Sequence, residues 1–218
     1  MAPDAQTPNV VGCYLDSAVA VVSLLRDPAV AAAWDQPSAL AEFSVRGLAG
    51  HLARQVVVTG ELLAAEQPAG ECVSLLEHYG RSRWVGASLD DESNVMARRG
   101  GEAAAADGAD GLVRHTESAL AELRAALPAE PAGRRVRPPG GSWLLTLPDF
   151  LVTRLVEFVV HADDLAVSVG IPGPAMPPEA TDTVLVLLTR VAAQRHGPIP
   201  VLRALSRAER APATIAAF

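Results

Sequence analysis

The chain has 218 residues, half of them hydrophobic, so it can bury one core and falls short of the length expected for two full-sized domains. Aromatic residues make up only 4% of it, so the core has to be built from Leu, Val and Ala, which suit packed helices better than a β-sandwich. The formal net charge of −7 argues against a nucleic-acid ligand, because binding a phosphate backbone needs a surplus of basic side chains on one face.

Two amphipathic helices are predicted in the first third of the chain. Apolar residues recur at helical spacing from Val10 to Leu25, and a proline soon interrupts the pattern. Ser44 is a good N-cap for a second helix, which should run to about Ala65 and which carries His51 in its second turn.

The middle of the chain predicts two more helices. A helical stretch covers residues 71–99, and the acidic run at residues 90–92 is a point at which it can break. Arginines followed by Gly100 and Gly101 are typical of a helix C-terminus, so we expect the stretch to end there. A further amphipathic helix is predicted for residues 111–127, with apolar side chains along one side.

A small β-ribbon and a long helix come next. Residues 134–145 hold a Pro-Pro-Gly-Gly segment between two short extended segments, which predicts the ribbon. Thr146, with an aspartate three residues later, opens a helix from Asp149 to about Val169. Glu157 and His161 lie in the middle of that helix.

The C-terminal part of the chain has a different composition. Residues 171–178 carry four prolines and predict a linker, followed by helices at about 179–196 and 201–210. We therefore expect a helical bundle over residues 1–170, and a Pro-rich linker with a helical extension over residues 171–218 packed on the same domain.

The pair Glu157 and His161 is the main candidate for a site. The two residues are four apart, so on a helix their side chains lie on one face and can bind the same ion. A third ligand has to come from another element, and His51 is the best candidate by residue type. Two neutral imidazoles and one carboxylate would leave a Zn²⁺ ion with a formal charge of +1 and one open position, which favours an anionic ligand such as hydroxide or thiolate.

A plain structural alternative explains the same pattern. Five polar residues form one arc of the helix and could face solvent, with an ion pair between the first two: Arg154, Glu157, His161, Asp164 and Ser168. A helical scaffold or dimerisation module is favoured if His51 lies far from Glu157.

Two segments resemble the mycothiol-dependent maleylpyruvate isomerase family. Residues 43–52, FSVRGLAGHL, are similar to its motif of an aromatic residue, a helix cap and a histidine that ends a short apolar turn. Residues 153–166, TRLVEFVVHADDLA, are similar to its R-x-x-E-x-x-x-H-x-x-D-L motif. The resemblance implies an all-α, DinB-like four-helix bundle in which a histidine of helix two and the Glu and His of a later helix bind a metal. Here these are His51, Glu157 and His161.

The resemblance also implies an activity. Mycothiol, a thiol cofactor, would present its sulfur to the metal, and the thiolate would add to an electrophilic double bond or displace a leaving group. Arg154 would bind a substrate carboxylate or orient Glu157, and Asp164 would support His161 from behind. Zn²⁺ is the expected metal, with Ni²⁺ or Fe²⁺ as alternatives.

We therefore expect a thiol-dependent metalloenzyme, an isomerase or a transferase, and the alternative is a non-catalytic bundle that binds metal or a small molecule. Family members with isomerase activity carry a separate C-terminal domain, whereas here residues 171–218 follow the bundle, which leaves the substrate open. A small-molecule substrate and a low-molecular-weight thiol are the expected partners, and a homodimer is left open. No basic residue precedes Arg26 and no apolar run approaches the ~20 residues that span a bilayer, so a cytoplasmic location without a membrane partner is expected.

Overall fold

The computed structural model describes residues 9–131 and 133–218. Within these ranges the chain is mainly helical, and the sheet has only two short strands. The all-α fold class predicted from the sequence is confirmed. The helices are α1 (Val10–Leu25), α2 (Pro28–Ala32), α3 (Val45–Ala64), α4 (Leu75–Arg81), α5 (Glu92–Ala104), α6 (Gly108–Ala126), α7 (Leu147–Val169), α8 (Pro178–His196) and α9 (Pro198–Ser206), and the strands are β1 (Arg135–Val136) and β2 (Leu145–Thr146).

Four long helices, α1, α3, α6 and α7, form the bundle. Helix α7 packs on α1 and α3, and α6 packs on the same two helices from the other side. The core between them is aliphatic, as the composition requires, with a few large rings: Tyr14 and Phe158 are fully buried and their ring centroids lie 5.3 Å apart. None of the helices in the described ranges is both long and apolar enough to cross a membrane.

The ends of α3 and α7 follow their capping residues. The Ser44 hydroxyl accepts a hydrogen bond from the backbone N–H of Gly47, and the Thr146 hydroxyl accepts one from Asp149, so each cap satisfies an amide that has no partner within its helix. Helix α7 ends at Gly170, whose φ of 71° lies in the left-handed region that glycine tolerates best. These bounds agree with the predicted ones within two residues.

The helical stretch predicted for residues 71–99 is wrong at both ends. It is divided into α4 and α5, and Asp91 of the acidic run caps α5 by accepting from the backbone N–H of Ser93. Helix α5 continues through Gly100 and Gly101 to Ala104 instead of ending there. The reason is packing: a Cβ atom at Gly101 would overlap the carbonyl oxygen of Gly47, so this glycine allows α5 to lie against α3.

The ribbon and the C-terminal helices complete the fold. The small β-ribbon predicted from the sequence is present, and its strands β1 and β2 pair antiparallel with Arg135 opposite Thr146. Helix α8 packs on α7 and α1, and α9 packs on α8. Helix α9 begins at Pro198, earlier than the predicted residue 201, because proline suits the first turn of a helix, where its missing N–H has no partner to lose. Helix α2, which the sequence reading missed, is a short turn capped by Asp27.

Candidate metal centre

Helices α3 and α7 bring His51, Glu157 and His161 together. The Nε2 atom of His51 lies 3.0 Å from Oε2 of Glu157, and the Nε2 atom of His161 lies 3.3 Å from the same oxygen. One donor atom from each residue can be chosen so that all three lie within 4.8 Å of one another. The condition that favoured a mere scaffold, a large separation between His51 and Glu157, is therefore not met.

The local packing of α3 turns His51 towards α7. Leu48 and Leu52, on either side of His51, are fully buried and fix the rotation of the helix about its axis. Phe43, just before the cap, contacts the imidazole edge to face with ring centroids 5.9 Å apart. The aromatic residue before the cap, noted in the sequence, thus forms one wall of the site.

The polar arc of α7 does not form a solvated face. The side chains of His51, Glu157 and His161 are only 16%, 19% and 20% exposed. A carboxylate and two imidazoles at this depth require partners, because unpaired burial of a charge is costly. The three side chains partner one another in the structure.

This mutual contact shifts the pKa values of the group. Burial alone would raise the pKa of Glu157, but hydrogen bonds from His161 and His51 outweigh it and hold that pKa well below its usual range. Burial alone would lower the pKa of His161, but the carboxylates of Asp164 and Glu157 outweigh it and raise the value to about 9. The cluster therefore favours an ionised carboxylate next to positive charge, which a divalent cation would supply in place of protons.

Asp164 contacts the ring nitrogen of His161 that does not face Glu157. The Nδ1–H of His161 donates to Oδ2 of Asp164 over 2.9 Å, which fixes the orientation of the ring and directs Nε2 at Glu157. Asp164 is itself held in place through the next turn, because the Ser168 hydroxyl donates to its backbone carbonyl and accepts from the backbone N–H of Ala39.

The hydrogen bonds of Arg154 go to groups other than Glu157. Its guanidinium donates to Oε1 of Gln55 and to Oγ1 of Thr153, and its Cζ atom lies 4.9 Å from the centroid of the Phe150 ring. Across the described ranges it forms no salt bridge with a carboxylate, so the ion pair with Glu157 in the alternative interpretation is not formed. The guanidinium of Arg154 is therefore held by neutral groups.

Gln55 is the site residue that the sequence reading missed. It lies one turn after His51 on α3, is 4% exposed, and contacts both His51 and Arg154. Its spacing of four residues from His51 was the available signal, but glutamines at that spacing are common on helices. Only the approach of α7 shows that this one faces the site.

Helix α4 carries two ring side chains that respond to charges of the site. His78 is buried and its Nδ1 accepts a hydrogen bond of 3.1 Å from the indole N–H of Trp143 in the ribbon loop, although no partner pattern surrounds it in the sequence. Burial, and secondly the charge of Arg154, lower the pKa of His78 to about 4 against an opposing effect of Glu157. Burial, and secondly the charge of Glu157, raise the pKa of Tyr79. Both neighbours thus lie within electrostatic range of the site.

The two remaining histidines lie elsewhere. His196 is the last residue of α8, where cations are favoured by the helix dipole, and its Nε2 lies 2.8 Å from the carbonyl oxygen of Ala216. His115 is exposed on α6. His115 therefore provides a control for substitutions at the site.

Two of the donor distances are compatible with a tetrahedral ion. Nitrogen and oxygen ligands about 2.1 Å from Zn²⁺ are about 3.4 Å apart in a regular tetrahedron, close to the two distances measured from Glu157. Two imidazoles and one carboxylate are also the donor types of catalytic zinc sites, in which the fourth position is open.

One family model matches the chain. The family model described as the mycothiol maleylpyruvate isomerase N-terminal domain matches residues 15–166, a span that includes all three candidate ligands. No curated protein and no solved structure matches the chain.

Proposed function

This chain belongs to the family of the mycothiol maleylpyruvate isomerase N-terminal domain, and we propose that it is a thiol-dependent metalloenzyme, an isomerase or an S-transferase. Membership places it among mycothiol-related, DinB-like metal-binding proteins. The observation that carries the proposal is the convergence of His51, Glu157 and His161 from two helices in a buried cluster.

In this proposal each residue of the cluster has a role that follows from its contacts. His51 and His161 supply one imidazole nitrogen each and Glu157 one carboxylate oxygen to a single divalent cation, with Zn²⁺ first and Ni²⁺ or Fe²⁺ as alternatives. Asp164 keeps the proton of His161 on Nδ1, so that Nε2 is free to bind. Phe43 contacts the imidazole of His51 and helps to orient it.

The proposed thiol is mycothiol. A divalent cation lowers the pKa of a thiol that binds it, so that a nucleophile is available near neutral pH. Arg154 lies close by, with a guanidinium that is held in position and has no carboxylate partner in the described ranges, and we assign it the binding of a substrate carboxylate. An electrophile bearing a carboxylate would thereby be oriented towards the thiol.

The experiment is a thiol titration of the Co²⁺-substituted protein, followed by absorbance. We expect mycothiol to produce a thiolate-to-cobalt charge-transfer band in the parent and in His115→Ala, which changes an exposed histidine outside the site. Glu157→Ala should show no such band, because the site loses its only carboxylate donor.

The competing function is a non-catalytic bundle with a closed site. A parent that binds Co²⁺ but shows no spectral change with mycothiol or with any small thiol would contradict the enzyme proposal and favour the closed site, because a site without an exchangeable position cannot accept sulfur.

A further inference from the structure

Gln55 connects the candidate metal centre to Arg154. Its Oε1 atom accepts from the guanidinium of Arg154, and its Nε2 atom donates to the backbone carbonyl of His51 over 2.8 Å. The same Nε2 lies 3.4 Å from Nε2 of His51. Both ends of the amide are therefore in use, and the side chain spans the space between the two groups.

The backbone around Gln55 is equally fixed. Its carbonyl oxygen accepts from the hydroxyl of Tyr14, which is fully buried on α1, over 3.1 Å, and from the hydroxyl of Thr59 over 2.9 Å. Gln55 is only 4% exposed and is held at its backbone carbonyl and at both polar atoms of its side chain. The packing of the bundle therefore determines the position of the amide.

The choice of an amide at this position has a consequence for charge. A glutamate would reach the same guanidinium and hold it more strongly, because a hydrogen bond between two ionised groups is about twice as strong as a neutral one. It would also neutralise Arg154. A neutral acceptor holds the partly buried guanidinium in place and leaves it without a carboxylate partner among the described residues.

We propose that Gln55 is a positioning residue: it holds Arg154 next to the metal centre while leaving the positive charge free to bind the carboxylate of a ligand. This inference rests on the proposed function, because it assigns to the same site a preference for ligands that carry an anionic group a short distance from the atom that meets the metal. The role of Gln55 is exerted through Arg154.

The preference can be measured with two small thiols on the Co²⁺-substituted protein. 3-Mercaptopropionate carries a carboxylate and 2-mercaptoethanol carries a neutral hydroxyl, so the ratio of their dissociation constants, followed through the charge-transfer band, reports the carboxylate. An ionic hydrogen bond is worth enough for the parent to prefer the carboxylate thiol by about tenfold or more, relative to Arg154→Met.

Two variants of Gln55 separate positioning from plain structural support. Gln55→Met removes both hydrogen bonds, and we expect it to lower the melting temperature and to lose most of the carboxylate preference. Gln55→Glu keeps an acceptor for Arg154 but loses the donor to the His51 carbonyl, so it should recover only part of the melting temperature that Gln55→Met loses. The carboxylate preference should stay lost, because the new carboxylate neutralises the guanidinium. A purely structural role would instead restore both properties together.

Metal loading of each variant is measured first, by titration with Co²⁺. A parent that binds no metal would overturn the proposed function and this inference with it. A metal-loaded parent without a carboxylate preference, or a Gln55→Glu variant that keeps the full preference, would overturn the role of Gln55 alone. If Gln55→Met does not fold, the comparison of the parent with Gln55→Glu still decides.

Discussion

Removing Asp164 should weaken metal binding without removing a ligand. Its carboxylate accepts the Nδ1–H of His161 over 2.9 Å, and this bond both orients the imidazole and increases the basicity of Nε2. Loss of such a partner typically costs about 10- to 100-fold in metal affinity, which is roughly 1.4 to 2.7 kcal/mol. The upper half of this range applies to Asp164→Ala, and Asp164→Asn should fall lower, because its amide oxygen can still accept.

The assay is a competitive titration of Zn²⁺ against a chromogenic chelator at constant pH. Asp163→Ala is the matched control, because Asp163 is the adjacent acid on α7 but its side chain is exposed. We expect Asp163→Ala to bind like the parent. Equal affinities for Zn²⁺ in the parent and Asp164→Ala, or an equal loss of affinity in both variants, would refute the argument that this hydrogen bond strengthens metal binding by His161.

Three further predictions concern the packing of α3 against α5, the protonation of His78 and metal binding at the site. Gly101→Ala should destabilise the fold by about 1 to 3 kcal/mol in chemical denaturation, because its Cβ would overlap the backbone of α3. Gly60→Ala, which has open space at its Cβ, should instead stabilise the fold by about 0.5 to 1 kcal/mol. Similar effects of the two substitutions would contradict the packing argument. Burial lowers the pKa of His78 to about 4, so its neutral form is favoured in the folded protein. The free energy of unfolding should therefore fall by at most about 3 kcal/mol between pH 6.5 and pH 4. His78→Gln should lose less than the parent when chemical denaturation is compared at these two pH values. Zn²⁺ at about 100 times its dissociation constant should stabilise the parent by about 2.7 kcal/mol, and an equal rise in melting temperature in His51→Ala would contradict binding at this site.

Helix ends were predictable where the signal is local. Ser44 and Thr146 each cap the helix that follows by accepting a backbone N–H three residues away, and Gly170 ends α7 with a left-handed residue. Such contacts depend on a few neighbouring residues, so a short stretch of sequence contains all the information needed.

The glycines of α5 show why other features were not predictable. Gly100 and Gly101 after two arginines read as a helix end, yet Gly101 is an interior residue whose missing Cβ lets α3 approach. Which of the two roles a glycine plays depends on whether another helix lies against it, and that partner is about fifty residues away in sequence.

The candidate site also has a part that the sequence predicts and a part that only the structure shows. Glu157 and His161 share a face of α7 because they are four residues apart, which the sequence shows directly. His51 is 106 residues from Glu157, and only its residue type and the family resemblance connected the two before the structure did. Gln55 carried no such resemblance and was missed. Its role becomes visible only when Arg154 of α7 is seen to reach its amide.

The most direct test is metal analysis of the purified, tag-free protein by inductively coupled plasma mass spectrometry, beside His161→Ala and the control His115→Ala. We expect about one equivalent of a divalent metal in the parent and in His115→Ala, and its loss in His161→Ala. A metal-free parent that stays empty, with an unchanged melting temperature, after incubation with Zn²⁺, Ni²⁺ and Fe²⁺ would contradict the metal centre.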